Sequence, residues 1–230
     1  MTRISVIVPV RNDAACLQAR SALLKSLRKR GCEVIVVDGE STDQSVAVAR
    51  RITDRVLVTS PGRARQMNAG AAAARGDLLL FLHADTELSP PALDEMLRHA
   101  ALQGRAVWGR FDVSLRGEHW FYRVVEAMMN FRSRCTGIAT GDQAIFVSRK
   151  LFQRAGGYPD ISLMEDIALS RELRRFARPL CLRQRVAPST RRWAQHGMIR
   201  TTLLMWRLRL AYFFGASPAR LARIYNGRKT

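Results

Sequence analysis

From Ile4 to Val10 the chain reads ISVIVPV, a β-branched run, and EVIVV at Glu33 to Val37 repeats the type. Continuous apolar runs of this length suit strands buried on both faces. Between them, Ala14 to Lys29 has a helical pattern that stops at Gly31. Ser41-Thr42-Asp43-Gln44 predicts a capping box that opens a helix through Arg51. A short third strand at Arg55 to Thr59 follows, then a break at Pro61-Gly62 and an Ala-rich helix from Arg63 to Ala74. Gly76 leads into a fourth strand, Asp77 to Leu82, and Ser89-Pro90 predicts the start of a helix reaching about Leu102.

The second half is less regular. Val107 to Leu115 and Gln143 to Val147 read as strands, while His119 to Phe131, Arg149 to Ala155 and Met164 to Phe176 read as helices. Strands alternating with helices predict an α/β fold, with a mostly parallel central sheet and helices on both faces. In such sheets ligands bind beyond the carboxyl ends of the strands. That rule gives weight to PVRND (Pro9 to Asp13), DGE (Asp38 to Glu40) and HAD (His83 to Asp85), which bring carboxylates to one edge.

Composition narrows the setting. Cys16, Cys32, Cys135 and Cys181 are scattered without a CxxC pair, which fits a reducing compartment rather than a zinc ribbon or disulfide framework. MTRISVIVPV lacks the long apolar core and small-residue cleavage site of a signal peptide and reads as a first strand, so a cytoplasmic protein is expected. The net charge of +19 is uneven: Arg171 to Thr230 holds 14 Arg and one Lys against a single acid, Glu172. Arg-biased coding, an anionic lipid surface and a phosphorylated substrate all accommodate this excess; no basic-aromatic signature of nucleic-acid binding accompanies it. The stretch MIRTTLLMWRLRLAYFFGA (Met198 to Ala216) is interrupted by Arg200, Arg207 and Arg209, too often for a membrane span. It reads as a core helix, with membrane-surface contact as the lesser alternative.

Neither GxGxxG nor GxxxxGK[ST] occurs, which removes support for a dinucleotide-dependent oxidoreductase and a P-loop enzyme. VIVPVRND, VVDGESTD, FLHAD and MED occur in that order. These four motifs make the chain resemble the family-2 glycosyltransferases of the GT-A fold over about Ile4 to Arg175. GRARQMNAGAAAARGDLLLFLHADT further resembles a small bacterial subgroup of that family.

The resemblance implies roles by position. Asp38 would contact the nucleotide base, Asp13 the ribose or base, with Pro9, Val10 and Ala84 nearby; capping a helix or turn is the structural alternative for both acids. Gly39-Glu40 stands where the family more often has Asp-Gly, which sets Asp43 apart. Of Arg63, Arg65 and Asn68 at the start of the third crossover helix, Arg65 and Asn68 are assigned to the diphosphate, against solvated side chains. Asp85 takes the last position of the Asp-x-Asp motif and would hold Mn2+ or Mg2+ on the donor phosphates. His83 replaces the first Asp and reads more readily as a packed bystander. Gly141, Asp142 and Gln143 would line the donor sugar and acceptor. Asp166 is the expected base with Glu165 beside it, the alternative being two acids that satisfy a helix dipole. His196 would be a further metal ligand, against a solvated or packed side chain, and Arg191, Arg192 and Trp193 are candidates for diphosphate or an anionic acceptor.

These readings predict residues 1–195 as a GT-A catalytic domain. Residues 1–105 form its nucleotide-sugar half and 106–195 its acceptor half, with 196–230 as a basic helical extension. The expected reaction moves a sugar from a nucleoside-diphosphate sugar to an acceptor hydroxyl by metal-dependent single displacement with inversion. The expected partners are that donor, a hydroxyl acceptor that a lipid could carry, and an anionic surface at the inner face of the membrane; nucleic acid is not expected. Two rivals remain: a nucleotidyltransferase on a related sheet, and a non-catalytic membrane- or polyanion-binding protein that retains the fold.

Overall fold

The computed structural model describes residues 2–103, 106–117 and 119–227, the side chains of 102, 103, 192 and 196 excepted. The first half alternates strand and helix as the periodicity predicts: β1 (Ile4–Val10), α1 (Ala14–Ala19), α2 (Ser21–Lys29), β2 (Glu33–Asp38), α3 (Ser45–Arg50), β3 (Val56–Val58), α4 (Arg63–Ala73) and β4 (Leu78–Phe81). Then come β5 (Glu87–Leu88), α5 (Pro90–Gln103), β6 (Trp108–Val113), α6 (Trp120–Thr136), the 3-10 turn Gly141–Gln143, β7 (Phe146–Ser148) and α7 (Arg149–Arg154). The chain continues through α8 (Glu165–Arg174), β8 (Leu180–Ala187), α9 (Arg191–His196), α10 (Met198–Phe213) and α11 (Pro218–Asn226).

One eight-stranded sheet orders these strands β3-β2-β1-β4-β7-β6-β8-β5. β3, β2, β1 and β4 pair in parallel, β4–β7 and β7–β6 are antiparallel, and β8 returns parallel to β6. The apolar runs of β1, β2 and β4 are buried on both faces. One core cluster lies under α2, α3 and α5, the other under α4, α7 and α8.

Several local expectations change. The helix expected over Ala14 to Lys29 breaks at Arg20 into α1 and α2. The capping box at Ser41 to Gln44 does not form, because those side chains serve the neighbouring loop instead. The Asp43 carboxylate accepts from Ala14 N at 3.0 Å and Ser45 N at 2.9 Å, so one acid closes the starts of both α1 and α3. β5 and β8 were not predicted. β8 carries Arg183 and Arg185 on exposed positions, and this charge hides its alternating pattern.

Two contacts aim the fold at its upper edge. Gly70 lets α4 lie directly on the sheet: a Cβ there would stand 2.5 Å from Ile7 Cγ2 and 3.0 Å from Val37 Cγ2. That close approach sets the N-terminus of α4 over the carboxyl ends of β1 and β2. The antiparallel pairing of β4 with β7 then brings the turn before β7 to the same edge, with Phe81 N donating to Ile145 O at 2.9 Å. At the far end of the chain, Leu204 and Leu208 of α10 and Leu221 of α11 pack on Leu163, Met164 and Ile167, where α8 begins.

Candidate active site

The strand ends build a first cavity. Pro9, Val10, Asp13, Ala84 and Asp85 line it together, as the sequence reading requires, with Arg63, Gln66 and His83. Gln66 went unrecognised: its amide nitrogen donates to Val10 O and Val37 O, both at 2.8 Å, and so holds the ends of β1 and β2 at a set spacing. Asp38 ends β2 and is buried. One oxygen accepts from Ser41 N at 2.8 Å; the other is buried without a protein partner, and Asp38 is not among the residues lining the cavity.

Asp13 precedes α1 but makes no side-chain cap, since Asp43 fills that role. Its carboxylate instead accepts from Arg191 Nη1 at 3.2 Å, which ties α9 to the rim of this cavity. Trp193 packs edge-on against Tyr122, away from the strand ends. The side chains of Arg192 and His196 lie outside the described residues.

Of the three polar residues opening α4, Arg63 is the one that faces the cavities. Arg65 bonds Asp160 through Nε, at 3.0 and 2.9 Å to its two oxygens, and is half exposed. Asn68 is spent on Tyr158, donating to its carbonyl at 2.7 Å and accepting from its amide at 2.9 Å. Residues 63, 65 and 68 point in different directions around a helix, and only the seating of α4 selects which one meets the ligand edge.

A second cavity adjoins the first and shares Arg63 and His83 with it. Gly141, Asp142, Tyr158, Glu165 and Asp166 line it, and Met205, Arg209 and Tyr225 close it from α10 and α11. His83 is packed where the two spaces meet and lines both. Its Nδ1 lies 3.9 Å from Asp142 Oδ1, and its ring packs so closely on Gly141 that a Cβ there would come within 2.5 Å. Burial, then the nearby Arg63 charge, hold the His83 imidazole below its ordinary pKa. Gln143 does not reach either cavity. It is buried, bonding Thr140 N through its carbonyl and donating to Ser133 Oγ at 3.0 Å, so it shapes the turn that carries Gly141.

The two acids at the start of α8 differ in surroundings. Met164, held at a φ of 70°, turns the chain sharply into the helix. Asp166 accepts from Gly141 N at 2.8 Å and Ile167 N at 2.7 Å, which orients its carboxylate while leaving it half buried. Glu165 is buried. That burial pushes its carboxyl up to about 7, with the Asp166 charge adding to the rise and Arg63 opposing it. Arg63 keeps solvent contact although protein surrounds its guanidinium. Burial works against its charge, but Glu165, Asp142 and Asp166 hold it firmly protonated.

Among the described residues, no group of three or more His, Cys, Asp or Glu could enclose a metal ion. Asp85 is half buried in the first cavity beside Asp13, whose carboxylate is already taken by Arg191. One carboxylate at an open position suits a hard divalent cation whose other ligands are phosphate oxygens and water, as Mg2+ is commonly held beside a nucleotide.

The glycosyl transferase family 2 model matches residues 5–155, more than half of the chain. A PGL/p-HBAD biosynthesis glycosyltransferase of Mycobacterium bovis is 32% identical over 172 residues, covering 67% of this chain and 62% of its own length. An undecaprenyl-phosphate 4-deoxy-4-formamido-L-arabinose transferase of Aeromonas hydrophila is 29% identical over 151 residues, 60% of this chain and 46% of its own. The chain thus spans less than two thirds of the length of these curated relatives. Among solved structures, the mannosyltransferase PcManGT of Pyrobaculum calidifontis, in complex with GDP-Man and Mn2+, superposes with a TM-score of 0.62 at 22% identity. That likeness covers 91% of this chain and 61% of that one. Glucosyl-3-phosphoglycerate synthase of Mycobacterium tuberculosis with Mg2+ and UDP gives 0.58 at 20% identity, covering 81% and 70%. The fold is the GT-A arrangement, and the chain belongs to glycosyl transferase family 2.

Proposed function

We propose that this chain transfers a sugar from a nucleoside-diphosphate sugar to an acceptor hydroxyl by a single inverting displacement. The observation that carries the reading is the pairing of two adjoining cavities, one at Asp13 and Asp85, the other at Glu165 and Asp166, with Arg63 and His83 between them. In this reading Asp38 accepts from the base through its unpartnered oxygen, and Arg63 meets the diphosphate. Asp85 would hold Mn2+ or Mg2+, which when bound neutralises the charge growing on the departing diphosphate.

The acceptor occupies the second cavity. Asp166, oriented by Gly141 N and Ile167 N, takes the hydroxyl proton. The freed oxygen attacks the anomeric carbon, and the bond from that carbon to the diphosphate oxygen breaks with its electron pair leaving on the nucleotide. Inversion follows from attack opposite the leaving group. The name of the A. hydrophila relative includes undecaprenyl-phosphate, which supports a lipid-linked acceptor here. No helix among the described residues is long and apolar enough to cross a membrane.

A panel of UDP- and GDP-sugars, each with and without Mn2+ or Mg2+, tests the donor side through the melting temperature. A rise that requires metal for at least one donor is expected, with Asp85→Asn abolishing the metal requirement. No shift with any sugar nucleotide would sink the reading.

A further inference from the structure

α10 is apolar on two sides. Thr201, Thr202, Leu204 and Leu208 are buried, yet Ile199, Leu203, Trp206, Leu210 and Phe213 are 44–69% exposed. Their spacing of four, three, four and three residues draws a single stripe along the helix. This refines the expectation of a core helix: one side of α10 is core and another is left open. On α6, Trp120, Val124, Met128 and Phe131 are exposed at the same kind of spacing. Scattered exposed apolar residues need no explanation, but two such stripes on adjacent helices form a patch of the sort that marks an interaction surface.

Between the stripes runs a groove of about 480 Å³, within the roughly 300–1,000 Å³ of ligand sites. Met128, Met129 and Phe131 of α6 face Trp206, Leu210 and Phe213 of α10 across it. Its lining is polar only at Arg132 and Arg209. Arg209 also lines the cavity that holds Glu165 and Asp166, so the groove and the acceptor cavity meet at this side chain. The Nε and Nη2 atoms of Arg132 and the Nε of Arg209 are buried without a protein partner. Burial, and then the Arg209 charge, lower the Arg132 guanidinium to about 10. Two neighbouring cations with unpartnered N–H groups in the lining of an otherwise apolar groove call for an anion attached to something apolar.

We propose that this groove takes the hydrocarbon chain of a membrane lipid acceptor, with an anionic group of its head on Arg132 and Arg209. The exposed stripes then lie on the bilayer surface, and Trp206 sits at the interface, where an indole is favoured. Exposed Arg123, Arg200 and Arg207 on the same two helices add attraction to anionic lipid. The head group passes Arg209 to reach Asp166. As a lipid site the groove stands without the transferase reading; as the route of the acceptor it rests on it.

Binding of dodecyl phosphate, dodecyl maltoside and inorganic phosphate to the full chain, followed by Trp fluorescence and calorimetry, tests the assignment. Dodecyl phosphate should bind at least tenfold more tightly than either of the others. Leu210→Asp and, separately, Met128→Asp change exposed positions and should each weaken dodecyl phosphate at least tenfold. Arg132→Gln combined with Arg209→Gln should erase the preference over dodecyl maltoside. Vesicles of phosphatidylcholine and phosphatidylglycerol should carry the protein on flotation, and Leu210→Asp should remain behind. Inorganic phosphate binding as tightly as dodecyl phosphate would overturn the proposal in favour of a simple phosphate site. A dimer that both aspartate variants render monomeric, with no lipid binding, would assign the face to a second copy of the chain. Binding of sugar nucleotides to the same variants keeps the donor question separate: its retention beside lost lipid binding locates the change in the groove, and its absence from the unaltered chain counts against the transferase reading alone.

Discussion

The backbone amide of Gly141 donates to Asp166 Oδ2 at 2.8 Å, across 25 residues of sequence. A second amide, from Ile167, holds the other oxygen at 2.7 Å. The carboxylate is thus fixed at the edge of the acceptor cavity by groups that it cannot lose without moving α8 or the turn before β7. Such orientation is what a general base requires.

Asp166→Asn keeps the size of the side chain and one oxygen acceptor but removes the proton-accepting charge. Turnover should fall by about 10²–10⁴-fold. Sugar-nucleotide binding, measured by thermal shift, should persist. Retained turnover would move the base elsewhere, with Glu165 the first place to look.

Gly141 has an ordinary backbone conformation, so adding a methyl group brings no strain in φ. It does bring a clash, since the new Cβ would stand 2.5 Å from the His83 ring. Gly141→Ala should destabilise by about 1–3 kcal/mol, as overpacking does, and should slow transfer by shifting the amide that orients Asp166. His83→Ala in the same chain should recover much of the stability. Urea denaturation of the two single variants and the double variant reads this coupling directly.

Glu165 supplies a pH signature. Its carboxyl titrates near 7 in the folded protein against an ordinary value of 4.5. Between those values the folded state holds the extra proton, so stability falls as pH rises through the window. The steepest slope would be about 1.4 kcal/mol per pH unit. Asp166 and Asp142 favour the neutral acid, while Arg63 opposes it. Glu165→Gln should flatten the profile between pH 5 and 8 in chemical denaturation; an unchanged slope would show that the proton resides on another group.

Arg63 and Arg65 separate a ligand role from a surface ion pair. Arg63→Ala should weaken binding of a nucleoside diphosphate by roughly tenfold or more, the scale of a lost charge-assisted hydrogen bond. Arg65→Ala removes only a half-exposed pair with Asp160, and its effect on stability should stay within about 1 kcal/mol. Titration calorimetry with UDP and GDP on both variants distinguishes them. Equal losses would place both guanidinium groups on the donor.

Local pattern by itself determined the alternation of β1 to β4 with their helices. A β-branched run buried on two faces and a helix between breakers are both legible within a dozen residues. It also pointed to a shared edge for Asp13, Asp38 and Asp85, because the parallel topology that the alternation implies sends strand ends to one side; Asp166, at the start of a helix, was marked only by the resemblance of MED. What the tertiary structure decided is which side chains arrive at that edge and which are used up before reaching it. Arg63 faces the cavities because Gly70 seats α4 on Ile7 and Val37, whereas Arg65 and Asn68 are taken by Asp160 and Tyr158. Arg209 and Tyr225 came from distant positions, where no periodicity marks them, and Gln66, on the same helix as Arg63, was set at the strand ends only by the packing of α4. The same holds for α10, whose apolar residues look alike in sequence. Packing on α8 buries some, and those turned toward α6 stay open, since burial depends on which surface a helix meets and not on its composition.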